Sequence, residues 1–182
     1  MSIFRATSYL ESIDLIPASY LTAHEIQIVL VDRDNTCVPR STRKLPQAVR
    51  SWFCMVQKTC SIPIYIVSNN THTKQVEASA AALSCKAISH AMKPSPRAIT
   101  RLLKQLDIDP AHALFVGDQV FTDIVAANLS GCVSVLVRPQ SHRDLWYTYI
   151  LRAFEFVLLR HVHFLSRADI DHGALDEVPK EA

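Results

Sequence analysis

No CxxC pair occurs among the five cysteines (Cys37, Cys54, Cys60, Cys85, Cys132), and their number is odd. That spacing indicates neither a disulfide framework nor a zinc site. Cys85 and Cys132 stand in apolar surroundings and read as small core residues. Strong charge of either sign is also missing. Nineteen basic against seventeen acidic side chains leave a formal +2, too little to mark a nucleic-acid binder. The first twenty residues lack a basic segment followed by a long apolar run, so no secretory signal is visible and a reduced, cytoplasmic setting is expected. Repeats and low-complexity stretches are lacking too. Of only three glycines, Gly117 and Gly131 punctuate one strand–helix region and Gly173 falls in a polar tail.

What is present is a globular composition. Of 182 residues, 49% are hydrophobic and 20% charged, enough for one ordinary domain with a real core. After a short helical lead-in, apolar strands alternate with helices. IQIVLVD (26–32) is a continuous β-branched run ending in a carboxylate, as a strand buried on both faces reads. Helical spacing follows over 45–59, with Leu45, Val49, Trp52, Phe53 and Val56 on one side. IPIYIVS (62–68) is a second strand, and a helix is predicted from Thr71 to about Leu83, capped by Thr71 or Asn70. A short strand at 86–89 precedes Lys93-Pro94, where the proline suits the first turn of a helix ending near Leu106. HALFVGD (112–118) is the next strand, helix 121–130 stops at Gly131, and VSVLV (133–137) is the last strand. The pattern predicts an α/β fold of three layers around a doubly wound parallel sheet. Ligands of such sheets bind beyond the carboxyl ends of the strands, where Asp32, Ser68 and Asp118 fall.

Four segments carry candidate chemistry. Asp32-Arg33-Asp34-Asn35-Thr36 puts two carboxylates where the chain leaves a strand: one can attack phosphorus and the other can serve as acid and base. Taken alone, the same residues also suit a polar turn. Ser68-Asn69-Asn70 offers a hydroxyl to a phosphoryl oxygen, or simply caps a helix. Lys93 is a point cation for a phosphate, or a solvated lysine at a helix start. Gly117-Asp118, followed by Asp123 on the next helical turn, concentrates hard oxygen ligands of the kind magnesium takes. Asp123 equally complements a helix dipole.

In order along the chain, these four pieces resemble the motifs of the haloacid dehalogenase (HAD) superfamily: DxDxT, a Ser or Thr after the second strand, a Lys, and GDxxxxD. The resemblance implies Asp32 as nucleophile and Asp34 as general acid/base. It implies Ser68, Asn69 and Lys93 as phosphate-binding residues, and Mg²⁺ held by Asp32, the Asp34 carbonyl, Asp118 and Asp123. Over about residues 10–140, DRDNT, VSNN, AMKP and GDQVFTDI look like the YqeG family, similar to phosphatidylglycerophosphate phosphatases. That family has an apolar residue where Arg33 stands; Arg33 either adds a cation near the phosphate or faces outward.

The gaps 36–62 and 70–93 are too short for a cap domain, so an open, HAD-like Rossmannoid site is expected. Residues 1–140 form the phosphatase domain, and 141–182 add an amphipathic helix and polar tail to the same unit. The implied substrate is a phosphate monoester, through the family resemblance a phospholipid; soluble sugar or nucleotide phosphates are the enzymatic alternative, and a non-catalytic interaction protein on the same scaffold is the third. LWYTYILRAFEFVLLRHVHFL (145–165) has helical spacing, with Arg152, Glu155, Arg160 and His163 on one side. Those charges rule against a transmembrane span. The segment fits a peripheral membrane contact at the inner face, a helix packed on the sheet, or a dimer contact. From about Ala168 onward the chain is polar and expected to fray.

Overall fold

The computed structural model describes residues 2–141, 155 and 157–175. Six strands form one parallel sheet in the order β1-β6-β5-β2-β3-β4: β1 (Ser8–Leu10), β2 (Ile28–Val31), β3 (Ile64–Val67), β4 (Lys86–Ile88), β5 (Ala113–Gly117) and β6 (Val133–Val137). From β2 the chain steps outward through β3 to β4, then returns to the other side of β2 as β5 and continues to β6. The strand order therefore reverses between β2 and β5, which is where open sheets of this kind place their ligands.

The continuous apolar runs are explained by two faces that are both covered. Successive side chains alternate between faces. Val29 and Val31 enter one core with Ile64, Ile66, Leu114 and Val116, beneath α1 (Ala18–Ala23), α2 (Gln47–Cys54) and α3 (Thr73–Ala82). Ile28 and Leu30 enter a second core with Val67 and Phe115, beneath α4 (Arg97–Leu106) and α5 (Val125–Ser130). Burying residues such as Phe53, Phe115 and Leu114 contributes about 1.5–3 kcal/mol each relative to exposure. Trp52 joins the first core while its indole N–H donates to the Ile16 carbonyl at 2.8 Å, so its one polar atom is satisfied.

Several local expectations are corrected. The lead-in is not purely helical, because Ser8–Leu10 pairs in parallel with β6 as an edge strand before the helical turns Ile13–Leu15 and Ala18–Ala23. Helix α3 begins at Thr73 after His72, since Asn70 instead uses its side-chain oxygen to accept the His72 N–H in a turn at 2.8 Å. Pro94 does not open α4. The helix begins at Arg97 after Pro96, and Ser95 closes an intervening turn through Met92. Helix α5 is preceded by a wide helical turn, Val120–Ile124, and ends at Gly131, whose φ of 81° is the left-handed conformation a glycine accepts at no steric cost.

The polar tail is ordered further than expected. Ser166 and Asp169 form a reciprocal capping box on the short helix Arg167–Asp171, and Leu175 is buried in the first core. Leu165 bridges to Leu10 beside β1. Most of the 145–165 segment, and residues 176–182, lie outside the described residues.

Candidate active site

Asp32 directly follows β2, and its backbone N–H donates to the Val116 carbonyl at 2.8 Å, which ties the strand tip to β5. The chain then turns back on itself. Asn35 takes a left-handed φ of 63°, and the Cys37 and Val38 N–H groups both donate to the Arg33 carbonyl. Asparagine tolerates that conformation better than most residues. The loop is pinned from beyond β6, where the Ser141 hydroxyl donates to Asn35 Oδ1 at 2.6 Å and the Gln140 amide donates to the Thr36 carbonyl at 2.6 Å. Both carboxylates of the motif thus face one cavity.

Lys93 reaches the same point from the loop after β4. Its buried ammonium donates to Asp32 Oδ1 at 2.6 Å, approaches Asp123 Oδ1 at 2.7 Å, and donates to the Val67 carbonyl at 2.8 Å. The ammonium is thus hydrogen-bonded to Asp32 and Val67 and ion-paired with Asp123, whose Oδ1 has no hydrogen-bond donor among the described residues. Burial alone would lower the pKa of Lys93, but the Asp123 and Asp32 carboxylates outweigh it and hold the ammonium charged. Asp32 responds in the opposite way. Its pKa rises from 3.8 to about 7, chiefly through burial; Lys93 pulls against that rise and the Asp123 charge adds to it.

Asp32, Asp118 and Asp123 each place a carboxylate oxygen within 4.8 Å of the others. The Thr36 hydroxyl donates to Asp118 at 3.3 Å, and Asp123 Oδ2 accepts the Gln119 N–H at 3.1 Å. Hard oxygens, two of the three carboxylates fixed by neighbours, and an uphill ionisation at Asp32 fit a divalent cation such as magnesium. Gly117 is what lets Asp123 in. A Cβ at that position would lie 2.4 Å from the Asp123 Cβ.

Asp34 is less buried. It pairs with Arg33, lies 3.6 Å from an Arg40 guanidinium nitrogen, and accepts from the Asn70 amide at 3.4 Å. Arg33 is not directed outward: it is buried, lines the cavity, and its Nε donates to the Ser79 hydroxyl on α3 at 2.9 Å. Ser68 is buried at the tip of β3, and its Oγ accepts the Asn70 N–H at 3.1 Å, which leaves its own O–H to donate. Asn69 lines the cavity, but its amide grips the Lys93 backbone, accepting from its N–H at 2.7 Å and donating to its carbonyl at 2.8 Å.

All but one of the seven residues singled out in the sequence line a single cavity of about 540 Å³, and the exception, Asp118, stands behind it with Asp32 and Asp123. Sequence reasoning missed Arg40, Arg43 and His72 on the cavity wall, and Glu155. The Glu155 carboxylate is buried and accepts the Val120 N–H at the start of the helical run carrying Asp123, so it does not belong to an exposed charged side. Its signal was its isolation: it is the single acidic residue of 145–165.

The HAD-hydrolase-like family matches residues 90–155, which include Lys93, Asp118 and Asp123. The chain is 26% identical over 152 residues to the probable phosphatase YqeG of Bacillus subtilis, covering 84% of this chain and 87% of that one. It is 28% identical over 157 residues to human chronophin, covering 85% of this chain but 53% of chronophin. The solved cobalt-bound deoxy-D-mannose-octulosonate 8-phosphate phosphatase of Haemophilus influenzae shares the fold, with a TM-score of 0.50 at 12% identity over 78% of this chain and 90% of that chain.

Proposed function

We propose that the chain is a HAD-type phosphatase similar to YqeG and that it hydrolyses a lipid-linked phosphate monoester, phosphatidylglycerophosphate, to phosphatidylglycerol and phosphate. The observation that carries the chemistry is the buried ammonium of Lys93 held 2.6 Å from the Asp32 carboxylate, at the point where the strand order reverses.

In this reading an Asp32 oxygen attacks phosphorus, the bond from phosphorus to the ester oxygen breaks, and Asp34 delivers its proton to that departing oxygen. Asp34 then takes a proton from water, which attacks the phosphorus of the aspartyl phosphate and releases Asp32 and inorganic phosphate. Ser68 and Lys93 bind phosphoryl oxygens, and Asn69 positions Lys93 through its backbone. Asp32, Asp118, Asp123 and the Asp34 carbonyl would hold Mg²⁺, which supplies positive charge against the repulsion between an anionic nucleophile and an anionic ester.

The lipid assignment rests on the YqeG likeness and on the absence of a cap: 36–62 and 70–93 contribute little beyond α2, α3 and β4, so the site stays open to a large or surface-bound substrate. No helix among the described residues is long and apolar enough to cross a membrane. The reading therefore includes peripheral contact through 145–165 at the inner face of the membrane. It also keeps 141–182 in one unit with 1–140, supported by the Leu165 bridge and the buried Leu175. A soluble sugar or nucleotide phosphate is the second reading, favoured by a cavity wall whose apolar lining is confined to Val38 and Pro39.

The test is phosphate release from phosphatidylglycerophosphate in detergent micelles with Mg²⁺, beside sugar and nucleotide monophosphates. Asp32→Asn should lower turnover by about 10³-fold or more. Undiminished hydrolysis by Asp32→Asn would sink the phospho-aspartate mechanism, and a marked preference for the soluble esters would sink the lipid assignment.

A further inference from the structure

The cavity is much larger than a phosphoryl group. Its floor is Asp32, Ser68, Lys93 and Asp123; its walls are the loop after β2, carrying Arg40 and Arg43, and the start of α3, carrying His72 and Gln75. These two walls are joined at Asp34, which accepts from Asn70 on one side and lies beside Arg40 on the other. Gln119 and Thr122 also line the cavity, and a group that leaves the floor past Asp34 runs between the two walls.

The charges along that path are not spent internally. Lys93 is engaged by Asp32 and Asp123, and Arg33 by Asp34. Arg40 holds Asp34 only at 3.6 Å, and its Nε has no hydrogen-bond acceptor among the described residues. Arg43 makes no ion pair among the described residues, and its side chain is exposed on the wall. Four permanent cations line the cavity against three carboxylates, and all three carboxylates sit at the floor or at Asp34. A neutral leaving group would leave Arg43 without an anionic partner and Arg40 with Asp34 alone, its Nε unmet.

We infer that Arg40, Arg43 and His72 form a second anion subsite, and that the substrate carries another phosphate, as a diester or monoester, a few bonds beyond the scissile one. Guanidinium groups suit it because they bind phosphate oxygens in pairs. The inference rests on the phosphatase reading and deepens it: selectivity comes from a second phosphate in the headgroup, not from an apolar slot for acyl chains.

Three esters separate the possibilities with the full chain and Mg²⁺: glycerol 3-phosphate, the water-soluble deacylated headgroup glycerophosphoglycerol phosphate, and phosphatidylglycerophosphate in micelles. The deacylated headgroup should exceed glycerol 3-phosphate in kcat/KM by about tenfold or more, the scale of one hydrogen-bonded charge contact. Arg43→Gln should reduce that ratio about tenfold, mainly through KM. Arg101→Gln, an equal loss of charge on α4, should leave it unaltered. Equal use of headgroup and glycerol 3-phosphate, or a ratio indifferent to Arg43→Gln, would overturn the subsite while leaving the phosphatase reading intact. A micellar lipid preferred over a headgroup that is itself no better than glycerol 3-phosphate would also overturn it and assign selectivity to the acyl chains. Failure on all three with hydrolysis of a sugar or nucleotide monophosphate would overturn the lipid assignment and the subsite; failure on every ester would bring down the phosphatase reading as well.

Discussion

The carboxylate of Glu155 accepts the backbone N–H of Val120 at 2.6 Å, and the same oxygen accepts the N–H of Phe121 at 3.3 Å. A buried negative charge thus caps the helical run that presents Asp123, supplying acceptors to N–H groups that have no partner within the helix. The C-terminal segment is in this way connected to the acidic cluster.

Glu155→Gln keeps an acceptor and loses the charge, whereas Glu155→Ala loses both. The alanine variant should be destabilised by about 1–2 kcal/mol. It should also need about tenfold more Mg²⁺ for half-maximal activity, with the glutamine variant intermediate. Thermal unfolding and a Mg²⁺ titration check the two effects separately. A lowered Tm with an unmoved Mg²⁺ midpoint would mean that Glu155 only stabilises the fold.

The raised pKa of Asp32 makes stability depend on pH and on divalent ions. Its carboxyl ionises near 3.8 in the unfolded chain and at about 7 in the folded one. Between those values the native state holds more protons than the unfolded state, so stability falls as pH rises through this window. Without divalent ions, Tm should drop by about 4 °C from pH 5 to pH 8, and Mg²⁺ should recover it at pH 8. Asp32→Asn should flatten the metal-free curve. A Tm in EDTA with the same pH slope in wild type and Asp32→Asn would contradict this account.

Gly117→Ala tests the close approach of Asp123. The added methyl would have to share space with the Asp123 side chain, whose Cβ lies 2.4 Å away and belongs to a buried turn that cannot yield cheaply. Displacing Asp123 by about 1 Å should cost on the order of 100-fold in kcat/KM. Overpacking should lower stability by about 1–3 kcal/mol. Steady-state kinetics on a generic phosphate ester, with a melting curve, would decide it; near-normal turnover would show that Asp123 has room to move.

The layered fold was legible because each long strand is apolar on both faces, and the periodicity of Val133–Val137 and its preceding Gly131 place that strand and helix end correctly. Strand β1 was not legible. Three residues, Ser8-Tyr9-Leu10, carry no periodic signal, and their strand character comes from pairing with a segment 127 residues away. Proline misled at position 94 because a second proline two residues later precedes the helix. In the site, the motif residues were readable from their chemistry at strand ends. The supports were not. Asn69 looks like a phosphate ligand in sequence, yet its amide is committed to the Lys93 backbone, and only the chain path between β3 and α4 reveals that.

Strand β1 bears on how the two ends of the chain depend on one another. On the side away from β6, the Glu11 N–H donates to the Leu165 carbonyl and the Leu165 N–H donates to the Tyr9 carbonyl, both at 3.0 Å. Next to it, Phe164 packs with Ala6, Val120, Ile124 and Leu136. The late chain therefore acts as a selvedge, finishing the border of the sheet where bare amides would otherwise recruit strands from other molecules. A chain cut after residue 140 would keep every motif residue yet present a raw, sticky border, so self-association would accompany the loss of the Ser141 and Glu155 contacts to the site.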